Sequence, residues 1–134
     1  MSLDKRTDSE VVEGVRATIA AYCQALDDGR TDDVVATFCR DGVMEITGSG
    51  TFQGHNAIRE TYAGFKSQRP QRHVVVNTFV TDWNDHEAKA ISDLLVLQKD
   101  DSGWAIQLVG RYYDTFRNED SSWRFLHRTL KFVN

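Results

Sequence analysis

The chain has 134 residues, 40% hydrophobic and 27% charged, with a formal net charge of −4, which is the make-up of one soluble globular domain over residues 1–134 with enough length to bury a core. An acidic chain without a Lys/Arg run is poorly suited to nucleic acid or an anionic membrane surface, so the partners left are small neutral or apolar molecules. No apolar stretch is long enough to span a bilayer, and Met1-Ser2-Leu3-Asp4-Lys5-Arg6 lacks the apolar segment of a secretion signal, so the expected location is cytoplasmic.

Val12, Val15, Ile19, Tyr22 and Leu26 recur at three- and four-residue steps, the stripe of an amphipathic helix. The spacing predicts a first helix from about Ser9 to Asp28, capped by Ser9 or Asp8. Its end is unusual: Asp27 and Asp28 precede Gly29 at a helix C-terminus, where the partial negative charge disfavours carboxylates by a few tenths of a kcal/mol or more. Broken local rules point to sites that need the group, and Asp27 sits one turn beyond the Ala20 to Cys23 border of the apolar face. Asp-Gly is also an ordinary way to leave a helix, with Gly29 as the left-handed residue. The local pattern supports both readings.

Thr31 is placed to cap a shorter helix carrying Val34, Val35 and Phe38, and Asp41-Gly42 turns the chain into a strand over Val43 to Thr47. After Gly48-Ser49-Gly50 and Phe52, the turn Gly54-His55-Asn56 leads to a third helix with Ile58, Tyr62 and Phe65 on one face. Cys23 in the first helix and Cys39 in the second have neither disulfide nor metal-ligand spacing and read as small core residues.

From His73 the period becomes that of strands: His73 to Trp83, Glu87 to Lys99, Trp104 to Arg117 and Ser122 to Phe132, joined by short polar turns that make antiparallel hairpins. Helices followed by a meander are an α+β domain. A sheet this long with helices on one face has to curl around them, with Gly110 as a bend point. The expected result is a curved antiparallel sheet wrapped on the N-terminal helices, a cone-shaped barrel with an internal pocket for a small apolar ligand. Val74-Val75-Val76 and Tyr112-Tyr113 carry apolar side chains on both strand faces, so a homo-oligomer hiding the outer face is expected.

Of the four histidines, His55 and His86 fall in turns and His127 faces away from Leu126 and Arg128. His73 opens the valine strand, where an imidazole either borders the apolar interior or bonds to backbone at the strand edge. A neutral imidazole works as a base where a buried carboxylate fixes its tautomer and stabilises the cation that forms, and Asp27 with His73 would be such a base. A donor for the developing anion or leaving group is then needed, a role open to Tyr22, Arg128 or Arg111. Tyr22 lies on the core stripe, and its hydroxyl needs a partner in any case. Arg128 alternates with Leu126 and Leu130; buried there, it must be paired, with Asp27 or Asp93 available. Asp93 serves at least as well as an outward partner of Arg111 on the next strand. There is no Gly-rich phosphate loop, G-x-S-x-G elbow, H-E-x-x-H pair or metal-ligand spacing, so neither a metal nor an organic cofactor is expected.

Six pieces of sequence, in this order, carry a resemblance: Tyr22-Cys23-Gln24-Ala25-Leu26-Asp27-Asp28-Gly29, Phe38-Cys39-Arg40-Asp41-Gly42, Gly50-Thr51-Phe52-Gln53-Gly54, Arg72-His73-Val74-Val75-Val76-Asn77, Gly110-Arg111-Tyr112-Tyr113-Asp114 and Trp123-Arg124-Phe125-Leu126-His127-Arg128. Over nearly its full length the chain resembles the SnoaL-like branch of the nuclear transport factor 2-like superfamily. Within it, the chain is most similar to the group of scytalone dehydratase, bile acid 7α-dehydratase and hexachlorocyclohexane dehydrochlorinase. The resemblance implies a catalytic dyad of Asp27 and His73, with Tyr22, five residues before the aspartate, Arg128, five after Trp123, and Tyr112 as substrate-binding residues. The dehydrochlorinase's lysine at the position of Tyr22 is missing, and Glu87 to Lys99 offers no second catalytic histidine of the scytalone dehydratase kind. The cone-shaped fold and a trimer or dimer are also implied. Two functions follow as expectations. One is a cofactor-free lyase eliminating water or another small group from a small alicyclic or polycyclic hydrophobic substrate, with isomerisation or cyclisation through the same base as a variant. The other is a non-catalytic small-molecule pocket or oligomerisation module.

Overall fold

The computed structural model describes residues 6–134; Met1 to Lys5, most of the segment read above for an export signal, lie outside the described residues. Helix α1 (Asp8–Asp27) starts one residue earlier than its stripe suggests. Its cap is Thr7 rather than Ser9 or Asp8: the Thr7 hydroxyl accepts from the Glu10 N–H and the Glu10 carboxylate from the Thr7 N–H, a reciprocal box that satisfies two otherwise unpaired donors. The helix buries Val11, Val15, Ile19, Tyr22, Cys23 and Leu26, so the stripe begins at Val11 and not at Val12. It leaves through Gly29 at φ 71°, the left-handed exit that glycine makes without strain.

Helix α2 (Thr31–Ala36) is short and uncapped by a side chain. It ends before Phe38, because strand β1 (Phe38–Ile46) has already begun and sets Phe38 opposite Phe125. Cys39 is therefore a strand residue, not a helical one. Strand β2 (Gly50–Gln53), too short to show a period, pairs with β1, and helix α3 (Gly54–Ala63) stops short of Phe65. Strands β3 (Gln71–Trp83), β4 (Glu87–Asp100), β5 (Gly103–Glu119) and β6 (Ser122–Phe132) follow as an antiparallel meander.

The curved, unclosed sheet has the order β2-β1-β6-β5-β4-β3. Its one parallel pairing joins β1 to β6. All the helices pack against one face, and two glycines permit close approaches, Gly14 between helix and sheet and Gly110 between neighbouring strands. A Cβ on Gly14 of α1 would lie 2.4 Å from the Trp123 ring, and one on Gly110 would lie 2.8 Å from Leu130 and 3.1 Å from the Lys131 carbonyl. Bulges bend the strands. In β3 the extra residue lies between Val76 and Phe79, where Asn77 has φ 56°. In β6 it is Leu126, since His127 faces Thr115 while Phe125 faces Phe116. That bulge corrects the expected alternation: Trp123, Phe125, Arg128 and Leu130 are buried, and Leu126 is only half-buried. Among the described residues no helix is long and apolar enough to cross a membrane.

Candidate functional site

Helix α1 runs antiparallel to edge strand β3 and is fastened to it at both ends. At one end Trp83 Nε1 donates to Asp8 Oδ1 at 2.8 Å. At the other, the Asp27 carboxylate accepts from the His73 backbone N–H at 2.9 and 3.1 Å and lies 2.6 Å from His73 Nδ1. The side chains of His73 and Asp27 are 12% and 6% exposed. Of the two sequence readings of His73, the ring meets a buried carboxylate and borders the cavity rather than bonding to backbone, and the free strand-edge N–H finds its acceptor in the same carboxylate. With Nδ1 engaged, Nε2 is the nitrogen left for a ligand.

His73 lines an internal cavity of about 290 Å³ between the helices and the inner sheet face. Leu26, Met44, Leu94, Val96 and Leu130 give it an apolar wall; Tyr22, Tyr62 and Tyr112, with Gln71 and Ser49, supply the other polar groups, and the half-exposed Phe65 and Phe132 also line it. The Tyr22 and Tyr62 hydroxyls are hydrogen-bonded to each other. One O–H is consumed in that bond, so the pair keeps one donor for a ligand. Burial pushes the pKa of Tyr22, Tyr62 and Tyr112 well above the ordinary phenol value, so all three stay neutral donors at physiological pH. On its other side the dyad borders an open groove of about 830 Å³ between α1 and β3, lined by Arg16, Ala20, Gln24 and Val74 to Thr78 among others. Asp27 and His73 form part of the partition between the two spaces.

Arg128 lies behind the tyrosines rather than on the cavity wall. Wholly buried, its guanidinium carbon sits 3.3 Å from the Tyr112 ring centre, 4.3 Å from Tyr22 and 4.4 Å from Phe125. Its partner is neither Asp27 nor Asp93 but Asp114, Nε to Oδ1 at 3.1 Å. The pair is close enough for strong attraction, yet the directions miss hydrogen-bond geometry and none of the five polar atoms has another protein partner. Burial pushes the Asp114 carboxyl up to about 7 against the pull of Arg128. Burial opposes the Arg128 charge in turn, and Asp114 with the tyrosines more than offsets this. Asp114 went unnoticed in the sequence as a site residue, although a signal was there: it alternates with the buried Tyr112 and Phe116 on β5.

The remaining candidates fall outside the cavity. Asp93 takes Arg111 Nε at 2.8 Å and Asn77 Nδ2 at 3.1 Å on the outer sheet face, which leaves Arg111 no part in the pocket. His55 is a helix residue bonded to the Phe38 carbonyl at 2.9 Å, His127 approaches Glu45 at 3.4 Å, and His86 is exposed. Burial raises the Cys23 and Cys39 thiols to about 11 and about 12. Among the described residues no group of three or more His, Cys, Asp or Glu is placed to hold a metal ion.

The family profile described as a SnoaL-like domain matches residues 7–129. Similar solved structures include a Novosphingobium aromaticivorans protein provisionally named a scytalone dehydratase, 23% identical, over 96% of this chain and 89% of that one, with a TM-score of 0.83. A nuclear transport factor 2-like protein with a cystatin-like fold from the same organism is 22% identical over 91% and 81% of the two chains, TM-score 0.81. A variant of Rv3472, a protein of unknown function from Mycobacterium tuberculosis, is 22% identical over 92% and 76%, TM-score 0.85. At these identities the likeness establishes the fold. No curated protein sequence matches the chain.

Proposed function

From the premise that this chain belongs to the SnoaL-like domain family, we propose that it is a cofactor-free lyase of the dehydratase kind, with His73 as its base and Asp27 as the residue that orients it. The observation that carries this reading is the 2.6 Å contact between Asp27 and His73 Nδ1 at the wall of a cavity lined mainly by apolar side chains and tyrosines. A volume of about 290 Å³ lies at the lower end of small-molecule pockets, so the substrate is a compact hydrophobic molecule of one or two rings. The similarity in fold to a protein provisionally named a scytalone dehydratase supports the same reaction class.

In this mechanism His73 Nε2 takes a proton from the carbon next to the one that bears the leaving hydroxyl. The released electron pair forms the C=C bond as the C–O bond breaks. The imidazolium, stabilised by the Asp27 carboxylate, returns the proton to the departing hydroxyl, so water leaves and the base is restored. The free O–H of the Tyr22–Tyr62 pair donates to the oxygen on which charge develops, where a donor fixed in a dry site is worth more than one in water. Tyr112 shapes the cavity, and Arg128 acts from behind the rings.

Native mass spectrometry of the purified protein, to identify any small molecule it carries, followed by turnover of that molecule and its hydroxylated precursors, tests the proposal. His73→Gln is expected to lower turnover by about 10²–10⁴-fold while largely sparing affinity, because the base acts in the transition state. Wild-type turnover in His73→Gln overturns the mechanism. Tight binding with no turnover by the wild type replaces it with a pocket-protein function, and a product of unchanged mass replaces elimination with isomerisation.

A further inference from the structure

We propose that Asp114 is a positioning residue of the cavity: it holds the Arg128 guanidinium beneath the Tyr22 and Tyr112 rings, and its own charge sets how much of the cation's field reaches a ligand oxygen at those hydroxyls. Where turnover is concerned, the proposal rests on the elimination reading above; where binding is concerned, it does not.

Placement is the first support. Asp114 and Arg128 lie directly opposite each other on β5 and β6, and neither side chain reaches solvent. The guanidinium carbon is 3.3 Å from the Tyr112 ring centre and 4.3 Å from that of Tyr22, and both tyrosines line the cavity that His73 borders. Asp114 shares the inner face of β5 with Tyr112 but does not line the cavity. It therefore acts on a ligand only through the cation and the rings.

An ion pair kept for stability alone would be better made. The two groups meet at 3.1 Å without hydrogen-bond geometry, and their buried polar atoms have no other protein partner. Apolar side chains of similar volume often replace such a pair with a gain in stability. What they cannot replace is the charge. Burial pushes the Tyr22 and Tyr112 phenols up, and Arg128 pulls them back toward ionisation, so the cation makes each hydroxyl a stronger donor to an oxygen that carries or develops negative charge. An ionised Asp114 offsets much of that field; a protonated one leaves it whole.

Both states are within reach. Burial pushes the Asp114 carboxyl up to about 7. The other titratable groups packed around the pair are Tyr22 and Cys23 on α1, Tyr62 on α3 and Tyr112 on β5, and burial raises all four above their ordinary values. Strand β4 contributes only Ala90 and Ser92 at this level. These neighbours stay neutral while Asp114 titrates, so the wall behind the tyrosines passes from a bare cation below about pH 7 to a neutral pair above it.

Calorimetric binding of benzoate, a one-ring anion, and of neutral benzamide tests this in His73→Gln, which removes the imidazole as a competing titrating group. The benzoate dissociation constant is expected to rise about tenfold between pH 5.5 and 8.5, while that of benzamide stays level. With Asp114→Asn added, both are expected to stay level. A benzoate affinity independent of pH in His73→Gln overturns the proposal without any change at Asp114, as does a pH dependence that survives Asp114→Asn. In turnover, kcat of the wild type is expected to fall about tenfold above pH 7 with KM little changed. Asp114→Asn should abolish that fall and Asp114→Glu restore it. A wild-type kcat that holds level above pH 7 overturns the part assigned to Asp114 in the elimination. A wild type without turnover overturns the elimination reading instead, and the benzoate measurements still decide this one.

Discussion

The Asp27 carboxylate engages His73 at two atoms, its backbone N–H and its ring Nδ1, so one side chain both seals the edge of β3 and fixes an imidazole. Asp27→Asn therefore tests two roles at once. The substitution relieves an unfavourable charge at a helix C-terminus, worth a few tenths of a kcal/mol, but weakens hydrogen bonds to a charged group worth about 1.5–3 kcal/mol. The second effect wins. Thermal unfolding is expected at lower temperature than in the wild type, with turnover down by about 10²-fold or more. Asp28→Asn, on an exposed neighbour, is expected to leave both unchanged, and equal effects at the two positions would refute the special role of Asp27.

Asp114 gives stability a pH dependence of definite sign. Its carboxyl is held up to about 7 when folded, against about 3.9 in the unfolded chain. Between about pH 4 and 7 the folded form keeps a proton that the unfolded form has lost. The contribution of this group to stability therefore falls as pH rises through that window and is flat above it. Urea titrations of wild type and Asp114→Asn at pH 4.5 and 7.5 isolate the effect, because other titrating groups cancel in the difference. The wild type is expected to lose its advantage over the variant as pH rises. A difference independent of pH would show that the carboxyl is not held protonated.

The Tyr22–Tyr62 pair is expected to be non-additive. Tyr62→Phe leaves the Tyr22 hydroxyl without its protein partner in a buried site, a loss of about 1–3 kcal/mol. Once Tyr22→Phe has been made, Tyr62→Phe removes a hydroxyl that has already lost its partner. A double-mutant cycle by chemical denaturation should give a double variant less destabilised than the sum of the singles. Strict additivity would mean that the two hydroxyls do not interact.

Neither thiol is expected to matter for turnover. Both are buried with pKa values raised to about 11 and about 12, and reactivity follows the thiolate fraction. Alkylation of the folded protein at pH 8 should be slow at both positions and rapid in denaturant. Fast loss of one thiol under native conditions, accompanied by loss of turnover, would contradict this.

The parts legible in the sequence are those governed by a local period or a local rule. The stripe of α1, the valine strand after His73 and the polar hairpin turns each declare themselves within a dozen residues. Asp27 stood out because it breaks a helix rule, and His73 because it opens an apolar strand. What stayed hidden depends on register or on non-local pairing. Phe38 and Cys39 read as helical because the β1–β6 pairing that claims them lies some 85 residues further on. Strand β2 is too short to show alternation. The partner of Arg128 was misassigned because its choice is made across strands: Asp114 lies directly opposite Arg128 in the β5–β6 register, and no feature of either strand alone reports that. Tyr62 was legible as a core residue on α3 but not as the partner of Tyr22, since the two helices meet only in the folded chain.

The single extra residue at Leu126 determines what the chain tolerates in the course of change. Substitutions around the cavity alter its lining one side chain at a time, and a compact apolar wall absorbs many of them. A deletion at Leu126 acts differently. It closes the bulge and leaves Arg128 opposite Asp114, because Phe125 and His127 already face consecutive residues of β5, whereas loss of Thr129 turns Leu130 outward and brings Lys131 inward. The last strand thus has a residue to spare at the bulge but is fixed in length beyond Arg128, so new ligand preferences in this scaffold are reached by substitution there.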